Sequence, residues 1–127
     1  MNPNRSILLI GFIPELVDFT DFHGMTAERV RTGLAAQQVK LKSLGYDSHE
    51  LLIDLGETAE AAVAKALAER DFACILFGAG IRTSPRHFLL FERLLNVVHA
   101  AAPRAKLAFN TNPGDSLEAF QRWVPLG

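Results

Sequence analysis

The chain has 127 residues, 49% of them hydrophobic and 21% charged, which suits one globular domain that buries roughly two thirds of its unfolded surface and excludes a second. Thirteen Lys and Arg against fourteen Asp and Glu give a formal charge of −1, so no general electrostatic pull toward nucleic acid or an anionic membrane is expected. The one cysteine, Cys74, excludes an intrachain disulfide and a multi-cysteine metal centre.

The opening residues MNPNRS carry no long apolar core, and no run reaches the roughly 18–20 apolar residues of a membrane span. A soluble cytoplasmic protein is the expectation. The first strand is read at 6–12, where Ile7-Leu8-Leu9-Ile10 follows Ser6 as a continuous apolar run. It is followed by the long stretch GFIPELVDFTDFHGM, residues 11–25. Strand-to-helix connections usually take about 2–6 residues, so one this long marks a working segment. A helix is predicted over 26–44, with Thr26 as its cap, Val30, Leu34, Leu41 and Leu44 as its core-facing stripe, and Gly45 as its left-handed terminator. A strand at 49–54 and an alanine-rich helix at 58–70, capped by Thr58, come next.

The apolar run at 72–78 holds Cys74, read as a small buried core residue. The helix at 85–102 starts from Ser84-Pro85, and its apolar residues surround more of its circumference than one sheet contact needs. A neighbouring helix or a second copy of the chain is expected to cover it, the second case giving a homodimer. A fourth strand at 105–110 leads to a helix at 115–124, where Asp115 and Glu118 have capping-box spacing. The pattern is βαβαβαβα. Continuous apolar runs, rather than alternating ones, predict parallel strands covered on both faces. The fold class expected is α/β: a four-stranded parallel sheet of order 2-1-3-4 with helices on both faces, a three-layer, shortened flavodoxin-like and broadly Rossmann-like arrangement.

In that order the chain reverses direction across the sheet between the first and third strands, and a crevice opens there at the carboxyl ends. Loops 11–25 and 78–84 flank it, with Asp54 and Asn110-Thr111-Asn112 on the same rim. Gly78 and Gly80 allow close backbone approach, Thr83 and Ser84 precede a helix, and Arg82 and Arg86 supply forked donors, so the segment reads as an anion cradle. Asp21 and His23, with Asp18 nearby, form a candidate carboxylate–imidazole pair for proton transfer. Asp54 stands where dinucleotide-binding folds carry an acidic residue, but Gly11-Phe12-Ile13-Pro14-Glu15 lacks the G-x-G-x-x-G pattern, and Asp54 is read mainly as a strand-end residue. His87 and His99 fall near helix ends, and neither argues for a metal. No cofactor is assigned.

Asp21-Phe22-His23-Gly24 resembles the D-x-H-x-x-G loop of cobalamin-binding domains, and the order of elements over about the first 80 residues is similar as well. The resemblance implies that His23 is the lower cobalt ligand. Here Gly24 follows the histidine directly, Thr26 stands at the third place, and a fifth strand is missing. Receiver domains differ in another way, since the first strand lacks an acidic pair and the third ends in Gly78.

Three functions follow as expectations. The first is binding of an anionic small molecule, a nucleotide or phosphorylated metabolite, with Arg82, Gly78 and Gly80 at the anion, Asp18, Asp21 and His23 at the other end, and Asp54, Thr83, Ser84, Arg86, Asn110 and Asn112 around it. The second is a hydrolase or transferase in which Asp21 orients His23. The third is a non-catalytic association module using Phe12, Ile13, Leu16, Val17, Phe19 and Phe22 together with helix 85–102.

Overall fold

The computed structural model describes residues 4–20 and 23–126. Its four strands are β1 (Ser6–Phe12), β2 (Asp47–Ile53), β3 (Cys74–Phe77) and β4 (Lys106–Phe109). They form one sheet in the order β2-β1-β3-β4, and every pairing is parallel, with Ile10 beside Leu51 on one side and Phe77 on the other. The expected strand order and three-layer α/β architecture are therefore present. Among the described residues, no helix is long and apolar enough to cross a membrane.

Helices α1 (Ala27–Ser43) and α5 (Ser116–Trp123) lie on one face, where Leu34, Leu41 and Phe120 pack on Ile7, Leu9 and Leu76. Helices α2 (Ala59–Glu69) and α4 (Phe88–Ala101) cover the other, where Val63, Leu67, Leu90, Leu94 and Val98 pack on Leu8, Ile10, Ile75 and Phe77. Each central strand thus sends alternate side chains into two separate cores, which is why its sequence is continuously apolar. The edge strands differ from that expectation. Only Ser48 and Ile53 of β2 and Ala108 of β4 are buried, because each has a neighbour on one side only.

Local signals explain most helix ends. Thr26 Oγ1 accepts from the Arg29 N–H at 3.1 Å, and Gly45 stops α1 at φ +102°. Leu44, expected in the core stripe, is instead an exposed cap residue beyond the last turn. Thr58 does not cap α2 with its hydroxyl: the Asp54 carboxylate accepts from the Thr58 N–H and hydroxyl, and from the Gly56 N–H. Ser84 makes no side-chain capping bond, since a 3-10 turn, Pro85–His87, precedes α4 and consumes the first turn. The capping box forms between Asn112 and Asp115 rather than Asp115 and Glu118, one short 3-10 turn earlier. Helix α4 is covered by the sheet and by α2, leaving Phe88 62% and Leu89 58% exposed.

Two buried polar side chains tie together the elements on the α1 and α5 face. Gln37, midway along the apolar stripe of α1, donates to the Gly114 carbonyl at 3.2 Å and accepts from the Leu117 N–H at 2.9 Å, tying α1 to the start of α5. The Tyr46 hydroxyl donates to the Val124 carbonyl at 2.6 Å. Cys74 is fully buried, and burial pushes its thiol up to about 12, which keeps it protonated and inert.

Candidate functional site

At the carboxyl ends of β1 and β3 the structure brings the two distant loops together around a cleft of about 160 Å³. Phe12, Pro14, Val17, Phe19 and Met25 form one wall, and Val30 and Leu34 of α1 form a second. Gly78, Ala79, Gly80 and Ile81 close the third side, and residues 110–113 close the fourth. This is the expected reversal point of the sheet.

Its construction follows from local chemistry. After β1 the chain makes a 3-10 turn, Pro14–Leu16, with Pro14 buried and the Ile13 N–H bonded to the Ile53 carbonyl at 2.9 Å. Glu15 then accepts from Nε and Nη2 of Arg31 in α1 with its two carboxylate oxygens, and the Arg31 contact holds its carboxyl below the ordinary value. Further along, Asp18 accepts from the Thr20 N–H and hydroxyl and pairs with Arg86 at 2.7 Å. The Thr20 hydroxyl first, and the guanidinium next, keep Asp18 ionised well below the carboxylate range. The loop is thus pinned to α1 on one side and to the start of α4 on the other. Gly33 lets α1 close on the opposite wall, since a Cβ there would sit 3.2 Å from Pro113.

Beyond β3 the chain forms a one-turn helix, α3 (Ala79–Arg82), ended by Thr83, whose hydroxyl donates to the Ala79 carbonyl at 2.8 Å. Gly78 lies close to β1, its N–H bonded to the Ile10 carbonyl at 2.9 Å. Arg82 turns beneath this helix. Its guanidinium donates to the carbonyls of Phe77 and Asn110 and lies 5.1 Å from the centre of the Phe109 ring. Burial lowers its pKa, an effect opposed by the Asp115 charge.

Asn110 is the hub. Only 4% exposed, its side chain accepts from the Ala79 N–H at 2.9 Å and donates to Ser116 Oγ at 3.0 Å, while its carbonyl receives Arg82. Thr111 donates to Asp115 through both its N–H and hydroxyl. Asn112 accepts from the Gly114 N–H at 2.7 Å and donates to the Thr111 hydroxyl at 3.2 Å.

The residues expected from the sequence therefore divide. Gly78, Gly80, Asn110 and Asn112 line the cleft. Arg82, Thr83, Ser84 and Arg86 stand beside it without lining it, and the two arginines hold carbonyls and a carboxylate rather than facing in. Asp54 belongs to the start of α2, its carboxyl held low chiefly by the Thr58 hydroxyl. His23 is exposed and outside the lining, and its expected partner Asp21 lies outside the described residues, as does Phe22.

His87 lies closer to the cleft than its place near a helix end implies. Its ring meets Phe12 edge-on at 4.6 Å, behind the cleft wall, and burial followed by the Arg86 charge pushes its pKa below the ordinary value. Val30 and Leu34 of α1 also emerge as lining only in three dimensions, because nothing in a helical apolar stripe tells a cleft wall from core, and Met25 joins them from the loop before the helix. No known protein family, curated protein or solved structure matches the chain.

Proposed function

We propose that the protein binds a small molecule in this cleft, chiefly through apolar contact. The observation that carries the reading is the lining itself. Phe12, Pro14, Val17, Val30, Leu34 and Ile81 converge with a few polar groups at a sheet reversal point, the arrangement small-molecule sites favour. The anion grip expected from the sequence rested on Arg82 and Arg86, whose positions outside the lining move the emphasis from charge to shape.

Gly80 offers the test. It lines the cleft, its φ is not positive, and a Cβ there would meet nothing within 4 Å. A Cβ therefore fits at Gly80, and Gly80→Leu adds bulk to the lining from that open position. Titration with cyclohexanol, phenol, 2-naphthol and benzoate should move the Met25 methyl and Ala79 amide resonances for at least one probe. In Gly80→Leu that binding should weaken by about tenfold or more while the melting temperature changes little. A set of probes that moves neither resonance, or moves them equally in the variant, overturns the proposal.

A second reading rests on Phe88 and Leu89, exposed side by side in the first turn of α4. Such a pair favours self-association through this helix, with a two-fold dimer as the simplest closed form. Light scattering should report a dimer for the natural chain and a monomer for Phe88→Glu/Leu89→Lys. A natural chain that stays monomeric over a wide concentration range removes this reading.

A further inference from the structure

We infer that the ligand of the cleft is a neutral molecule with the bulk of a single six-membered ring; this rests on the binding reading above and deepens it. Size comes first. The cleft measures about 160 Å³, and a protein cavity of about 150 Å³ lined by Leu, Ile and Phe is large enough to take benzene. Three contacts join the walls to one another. Glu15 ties the loop to Arg31 of α1, Asp18 ties it to Arg86, and Gln37 ties α1 to the segment that closes the fourth side. A larger ring system would project through the open mouth of the cleft and leave part of its apolar surface in water.

Neutrality follows from the charges and from the polar groups. Among the described residues lining the cleft there is no Asp, Glu, Lys, Arg or His. The three polar side chains on its edge have bonds inside the protein: Asn110 to Ala79 and Ser116, Thr111 to Asp115, and Asn112 to Gly114. An anion entering would shed water against aliphatic and aromatic carbon and find no guanidinium facing it, an arrangement that disfavours the charged form. A neutral ring loses nothing comparable. Met25 adds an unbranched, polarizable contact that adapts to the edge or face of such a ring.

The test ranks three probes on the full chain at neutral pH. Phenol is a neutral single ring, 2-naphthol a neutral double ring, and benzoate an anionic single ring. Dissociation constants are read from the Met25 methyl and Ala79 amide shifts. Phenol should bind at least about tenfold more tightly than either of the others. If 2-naphthol binds as tightly as phenol, the size limit is wrong; if benzoate does, the neutrality is wrong. In both cases the cleft still binds and the broader reading stands. If none of the three moves either resonance, this inference fails, and cyclohexanol then decides whether the broader reading fails with it.

Discussion

Replacing Asn110 with alanine is expected to cost about 2–4 kcal/mol of stability and to lower Tm by roughly 10 °C. The side chain is nearly inaccessible and uses both ends, accepting from Ala79 and donating to Ser116. Alanine removes both bonds and leaves a void where the loops after β3 and β4 meet, so the cost of unpaired polar groups adds to that of lost packing. Asn110→Asp keeps the acceptor for Ala79 but draws the Ser116 hydroxyl away from the Pro113 carbonyl and buries a carboxylate, so it should also destabilise. Urea and thermal unfolding measure both. If Asn110 served only to contact a ligand, Asn110→Ala would melt within about 2 °C of the natural chain, and the hub assignment would fail.

Arg82→Ala should destabilise by about 2 kcal/mol, through loss of charge-assisted hydrogen bonds to two carbonyls and of the contact with Phe109. The guanidinium joins the ends of β3 and β4 through the two carbonyls, beside a row of rings in which Phe91 meets Phe77 at 5.5 Å and Phe109 at 6.3 Å. Arg82→Lys should recover little, because one ammonium cannot reproduce the fork. The sequence alone suggests the opposite result, a weakened ligand on an intact fold. Equilibrium unfolding in urea separates the two, and a variant as stable as the natural chain would return Arg82 to a ligand-binding role.

That contrast shows where reading residues in order stops working. The β–α alternation, the strand order and the position of the crevice were legible because they depend on apolar runs and handedness rules, which act along the chain. Thr26 and Gly45 were legible for the same reason, since caps are local. Ser84 and Thr58 also had cap-like neighbours, yet Asp54 took over at one site and a 3-10 turn displaced the other. Charged side chains near glycines look like an anion cradle until their partners are known. Arg82 finds the Asn110 carbonyl across 28 residues and Arg86 finds Asp18 across 68, pairings that no spacing rule announces. Gln37 did leave a trace, as a polar residue between Leu34 and Leu41 on a core-facing stripe.

The cleft draws its walls from both sides of the sheet. Leu34 belongs to the layer beneath α1 and α5, while Phe12 and Ile81 belong to the layer beneath α2 and α4. A guest wedged between them would act as a rivet, fastening two halves that otherwise share a four-stranded partition. Its departure would then be felt as a loosening of the seam rather than as a local vacancy.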